Sequence, residues 1–282
     1  MTKKPMSLRS RSFAILAMFG LILASMPFST VRAGEIVAEP GDLIRGTSFS
    51  AVYYMGEDGF RYVFPNDKTY FTWYENFDTV IMLSDADLAK VQMGGNVTYR
   101  PWSKMIKINS DPKTYQVSTG GELRWITSEE VAIELYGANW NTKIDDVPDG
   151  FFGNYTIGAP IERSEDVGES ICFDEGEPCT YTITDDKELT AYATMTIDDM
   201  EYNGAMESDG VVEIYAGQTV LFRNSDDVKH TATATDESWG TGTLNSGDTF
   251  VKRFDEVGTY YFYCSYHPEM SGYIVVNEGL TM

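Results

Sequence analysis

Histidine is nearly absent from this 282-residue chain, which holds two, His230 and His267. Cysteine is almost as scarce, at three: Cys172, Cys179 and Cys264. Two imidazoles cannot furnish a centre that needs several metal ions, each with its own nitrogen ligands. Long hydrophobic runs are also lacking. Apart from Phe13 to Ala24 (FAILAMFGLILA), no stretch approaches the ~20 apolar residues that cross a bilayer as a helix. Positive charge is in deficit, with 21 Lys+Arg against 43 Asp+Glu and a formal net charge of -22. That balance argues against binding a phosphate backbone, and it favours cationic partners or simple solubility. Apolar residues are not scarce. A hydrophobic content of 43% with 13% aromatics is enough to bury real cores, which excludes wholesale disorder.

The first 33 residues read as a secretory signal. Lys3, Lys4, Arg9 and Arg11 precede the short apolar run, and Val31-Arg32-Ala33 offers small residues where a signal peptidase cuts. An uncleaved anchor is the competing reading. Cleavage after Ala33 would remove five of the 21 basic residues and no acidic one, leaving a formal charge of -27. The expectation is an exported protein, periplasmic, cell-surface or extracellular, whose mature chain has no transmembrane segment. In such a compartment Cys172 and Cys179, in "CFDEGEPC", are expected to close a local disulfide, with two free thiols as the alternative. Cys264 is then left over, and a free exported thiol is an oxidation liability unless something occupies it.

Four segments follow from the patterning: the signal at 1–33, a tandem-repeat domain at 34–161, an acidic linker at 162–188 and a second domain at 189–282. The repeats, about 43–104 and 105–161, align "LIRGTSFSAVYYMGEDGFRYVF" from Leu43 with "MIKINSDPKTYQVSTGGELRWIT" from Met105. Each copy predicts a hairpin around a glycine turn and then a helix or irregular segment, Asn66 to Tyr74 and Ser128 to Tyr136. This half is therefore expected to be α+β or mainly β, with its aromatics in cores. It resembles an uncharacterised repeated module of exported bacterial proteins, a resemblance that implies no activity. Attachment to the cell envelope is one role it could serve. From Glu162 to Glu188 the chain is polar and acidic, as an inter-domain tether would be.

From 189 onward the pattern is all-β. Candidate strands are Ala191–Ile197, Val211–Tyr215, Gln218–Arg223, Thr231–Ala234, Thr249–Phe254, Gly258–Cys264 and Gly272–Val276, with turn signals between them. Both histidines and the unpaired cysteine fall in this domain. Cys264 ends a strand whose alternation puts it on one face with Tyr260 and Phe262. The next turn, "YCSYHPEMSG", spaces Cys264-x-x-His267-x-x-Met270, and His230 opens the strand in "DDVKHTATAT". Two imidazoles, a thiolate and a weak thioether are the donor set of a type 1 copper site. Zinc could occupy the same donors, but the thioether argues for copper. A catalytic thiolate–imidazolium pair of Cys264 and His267 is the rival. It comes with no oxyanion-hole motif and leaves Met270 without a role.

Four landmarks, "AGQTVLFRN", "KHT", "LNSGDTF" and "VGTYYFYCSYHPEMSGYIVV", stand in order over about 90 residues. With them the domain resembles a cupredoxin of the plastocyanin/amicyanin group. The resemblance implies a Greek-key β-sandwich or barrel and one copper held by His230, Cys264, His267 and Met270. His267 would lie nearest the surface, as the electron exit. It further implies a one-electron carrier rather than an enzyme, working with a redox partner protein whose docking surface would be cationic. An extracellular copper-binding or storage protein is the alternative, as is a cell-surface attachment protein in which the repeats carry the main role. Where many relatives have Asn directly after the first histidine this chain has Thr231, which puts the tuning of the site in question.

Overall fold

The computed structural model describes residues 38–167, 180–204 and 210–279; the expected signal segment and the Cys172–Cys179 pair lie outside the described residues. Among the described residues the chain is mostly β-sheet with few helices, and no helix is long and apolar enough to cross a membrane.

One strand plan is used twice in the N-terminal half. The first set comprises β1 (Leu43–Arg45), β2 (Val52–Met55), β3 (Arg61–Val63), α1 (Asp67–Trp73), β4 (Val80–Met82), α2 (Asp85–Lys90) and β5 (Met93–Asn96). The second comprises β6 (Met105–Ile108), β7 (Asp111–Ser118), β8 (Glu122–Trp125), α3 (Glu129–Tyr136), β9 (Ile144–Asp146), α4 (Asp149–Phe152) and β10 (Thr156–Ile157). The sheet orders are β4-β1-β2-β3-β5 and, read in the same direction, β9-β6-β7-β8-β10. Registers correspond as well: Ile44 faces Tyr53 as Ile106 faces Tyr115. Local chemistry sets the helices. Asn66 accepts the Thr69 N–H and Ser128 accepts the Val131 N–H, caps worth about 1 kcal/mol each. Arg61 lies over the Tyr53 ring, and the Arg124 guanidinium donates to the Ala159 carbonyl, so both arginines are tied to their own sheets.

The stretch expected to be a linker is anchored over its described parts. Val167 is buried in the core of the second sheet. After residue 180, α5 (Ile183–Asp186) starts on a Thr182–Asp185 capping box, and Ile183 enters the core of the first sheet with Tyr54 and Tyr62. The buried Asp186 carboxylate accepts from the Gly120 N–H, Tyr181 hydroxyl and Thr98 hydroxyl, which ties the segment to the second sheet too. Polar composition carries no trace of this anchoring, because Asp186 is paired inside rather than solvated while its acidic neighbours Asp185 and Glu188 stay exposed.

The C-terminal half adds β11 (Ala193–Asp198), β12 (Glu201–Gly204), β13 (Val211–Tyr215), β14 (Thr219–Asn224), β15 (Thr233–Ala234), β16 (Thr249–Arg253), β17 (Gly258–Tyr263) and β18 (Ser271–Asn277). They form two sheets, β12-β11-β14-β16 and β13-β18-β17-β15. Between them Met195, Phe222, Phe262, Ile274 and Val276 are almost wholly buried, with Phe262 edge-on to both Tyr202 and Phe222. Strand β12 was not anticipated. Its turn, Asp199-Met200, takes positive φ at both residues (52° and 63°), a type I′ geometry normally signalled by Asn or Gly.

The two halves meet at the start of β14. Thr219 donates its hydroxyl to the Asp58 carbonyl, and the Tyr192 N–H donates to the Glu57 carbonyl. Gly59 (φ 82°) brings its backbone so close that a Cβ there would sit 3.1 Å from Val251 and 3.2 Å from Tyr192. Gln92 reads the exposed edge of β16 as a strand would. Its amide nitrogen donates to the Val251 carbonyl at 3.1 Å, and its carbonyl accepts the Val251 N–H at 2.5 Å. Pairing an edge in this way removes a template for aggregation as well as orienting the halves. Replacing Gln92 with Ala should lower stability by about 1–3 kcal/mol, two hydrogen bonds' worth. Urea unfolding followed by tryptophan fluorescence measures this, and an unchanged midpoint would show that the pairing contributes nothing net.

Candidate metal centre

Three of the four side chains singled out in the sequence converge beyond the far end of β14. Cys264 Sγ lies 3.7 Å from His230 Nδ1 and 3.7 Å from His267 Nδ1, and the two Nδ1 atoms are 3.2 Å apart. Cys264 and His230 are fully buried, whereas His267 is half-buried. Met270, the fourth, is buried in the same core cluster as Cys264, and its turn is closed by the Cys264 N–H donating to the Met270 carbonyl.

Backbone order places each group. Asn224, at the end of β14 and fully buried, spreads its amide nitrogen over the Val228 and Leu244 carbonyls. Its side-chain oxygen takes the Asp226 N–H, so one residue shapes the loop leading to His230. His230 itself exchanges two backbone hydrogen bonds with Leu244. Cys264 follows directly on β17, and its face is set by the strand's alternation, with Phe262 buried beside it.

Electrostatics then decide which nitrogens face the centre. His230 Nε2 is 3.0 Å from Asp226 Oδ2, so that nitrogen carries the proton and Nδ1 presents a bare lone pair. Burial pushes the His230 pKa below its ordinary value, against the pull of Asp226, which favours the neutral ligand form. Burial opposes the Asp226 charge too, but the Met200 and Asp199 N–H groups and His230 outweigh it and hold the carboxyl below the usual range.

The sulfur has its own partners. The Thr231 N–H points at Cys264 Sγ at 3.4 Å. The Thr231 hydroxyl accepts the Ser265 N–H at 2.8 Å, pinning the residue that follows the cysteine. Its carbonyl accepts the hydroxyl of Tyr202, a buried phenol whose pKa burial and the neighbouring Cys264 raise. Thr231 thus joins the two ligand-bearing loops, which answers the question its identity raised. Asp226 and Tyr202 were not picked out as site residues, and Thr231 only for the tuning its identity put in question. Asp226 and Tyr202 carry no local motif, and only the fold brings them to the centre.

The donors fit a single metal ion. Bonds of ~2.0–2.1 Å to nitrogen and ~2.3 Å to sulfur place N and S about 3.7 Å apart when they meet near 120°. The observed sulfur–nitrogen separations are 3.7 Å. All three donor atoms lie within 4.8 Å of one another, close enough for one ion to meet them together.

No protein-family model and no curated protein matches this chain. Among solved structures, amicyanin from Paracoccus versutus (Thiobacillus versutus) is 26% identical over 30% of this chain and 81% of its own, with a TM-score of 0.27. A purple cupredoxin from Nitrosopumilus maritimus is 30% identical over 30% of this chain and 99% of its own, with a TM-score of 0.26. Asp226→Ala should weaken metal binding 10–100-fold, the usual consequence of freeing a ligating imidazole from its carboxylate. Competition against a chelator reads this directly; equal affinities would mean that Asp226 does not orient His230.

Proposed function

We propose that the C-terminal half is a cupredoxin, with Greek-key strand connections, that holds one type 1 copper and acts as an exported one-electron carrier. The observation that carries this reading is the convergence of His230 Nδ1, His267 Nδ1 and Cys264 Sγ within 4.8 Å of one another. Bound copper would supply Cu(II)/Cu(I) cycling. The chain's own residues do the rest: His230 and His267 bind as neutral imidazoles, Cys264 as thiolate, and Met270 as the weak fourth donor. The burial of Cys264 and His230 keeps water from that side, and the hydrogen bonds at Asp226 and Thr231 hold the ligands in one arrangement for both oxidation states. His267, half-buried, is the ligand through which electrons pass. No substrate is transformed: both histidines of the chain are committed to this centre, and none is left for a second copper.

Adding Cu(II) to the purified full chain should give an intense blue charge-transfer band that Cys264→Ser abolishes. A colourless product, or colour that survives the substitution, would overturn the assignment. Reversible voltammetry supports a carrier over the storage alternative, whereas tight Cu(I) retention without cycling supports storage.

The redox partner is a protein with a cationic docking surface. At the metal end Asp227 and Glu269 are exposed, within a chain of formal charge -22. Electron transfer with such a partner should slow as ionic strength rises past the ~8–10 Å screening regime. Stopped-flow rates that do not change with salt would remove the electrostatic part of the proposal.

A further inference from the structure

Met200 occupies a position that disfavours methionine. It takes φ 63° in the two-residue turn between β11 and β12, where Gly or Asn is the ordinary choice, and it is 38% exposed. Its backbone is fixed to the metal centre, since its N–H and that of Asp199 both donate to Asp226, the carboxylate that holds His230. A strained, exposed residue that is held this firmly suggests a role for its side chain.

Met200 lines an open cleft of about 300 Å³, with Glu201, Tyr202, Glu269 and Met270 among its other walls. Of these, Met270 is 5% exposed, and Tyr202 bonds to the carbonyl of Thr231, whose N–H points at Cys264. Two methionines and two glutamates therefore line one cleft. Thioethers prefer Cu(I) to harder ions, and carboxylates draw cations in without regard to softness. Beside His267 in sequence, Tyr266 bonds through its hydroxyl to Thr243 and lies under the Lys229 ammonium at 4.2 Å from its ring, with Asp227 and Glu269 exposed at the same end.

We infer that this cleft is the entrance by which Cu(I) reaches the centre, with the Met200 thioether as its transient outer ligand. The inference rests on the copper reading above. Delivery is ligand exchange alone: Met200 yields to Met270 and Cys264, and the Cys264 thiol proton leaves to water as its sulfur bonds the metal. No electron changes hands.

The test uses the metal-free full chain and Cu(I) offered as its bicinchoninate complex, with uptake followed by loss of the chelate's absorbance. Met200→Leu keeps the side-chain volume and removes the donor. It should slow Cu(I) uptake about fivefold or more while aqueous Cu(II) uptake changes less than about twofold, because only the soft ion uses the thioether. In full-length Cys264→Ala, titration with Cu(I) should shift the Met200 methyl resonance, and Zn(II) should not. Equal Cu(I) rates in Met200→Leu and the parent chain, equal slowing of both ions, or an unmoved Met200 methyl would each overturn the inference and leave the copper site standing. A parent chain that takes up neither ion would overturn the copper reading itself.

Discussion

The hydrogen bond from His230 Nε2 to Asp226 is the contact on which the rest of the centre depends. It decides which imidazole nitrogen is bare, and therefore whether Cys264 and His267 face a ligand or a proton. An unpaired Nε2–H in so buried a position would cost about 1–3 kcal/mol. Asp226 serves a second end, because the N–H groups of Asp199 and Met200 converge on the same carboxylate. A turn strained at two residues and a buried ligand are thus held by one charged group, and neither can shift without the other.

Thr231 performs the matching task on the sulfur side. Its N–H reaches Cys264, its hydroxyl takes the Ser265 N–H, and its carbonyl takes the Tyr202 hydroxyl. Thr233 extends the lattice, donating to the Thr231 hydroxyl and meeting the Ser265 hydroxyl at 3.1 Å. A threonine provides a shorter reach than asparagine, and the chain compensates by adding hydroxyls from its neighbours. The result is a pair of loops fixed by protein bonds alone, which suits the small reorganisation that the proposed electron transfer would require.

Much of this was legible in the sequence, and the reasons differ by element. The strands around Phe222, Phe262 and Ile274 announced themselves because alternation and turn residues agree there. The clustering of His230, Cys264 and His267 was legible because the chain holds only two histidines and one cysteine outside the 172–179 stretch. The Asp199-Met200 turn was not, since neither residue signals positive φ, and with it went β12 and Tyr202. Asp226 stands four residues before His230 in a loop, where no periodicity relates them. Residues 180–188 of the expected 162–188 linker looked like a tether because Asp186 is paired with N–H and hydroxyl donors far away in sequence, Gly120 and Thr98. Long-range satisfaction of polar groups leaves no local trace.

The attachment between the halves fixes where the centre can act. Asp58, Gln92 and Glu57 all engage the C-terminal half near Thr219, Val251 and Tyr192, while the ligands lie past Asn224. Five residues of strand, about 17 Å, separate the two ends of β14. The contact is polar, directional and specific to backbone groups, so it orients the C-terminal half rather than merely tethering it. Asp58 shows the cost of that order: it is buried at 5% exposure, its pKa raised by burial even though the Tyr62 hydroxyl donates to it. A carboxylate retained there against desolvation keeps Tyr62 and the Asp58 carbonyl in register with Thr219. Under the proposed function a redox partner would meet the centre beyond Asn224, whereas the N-terminal half engages the C-terminal half near Thr219.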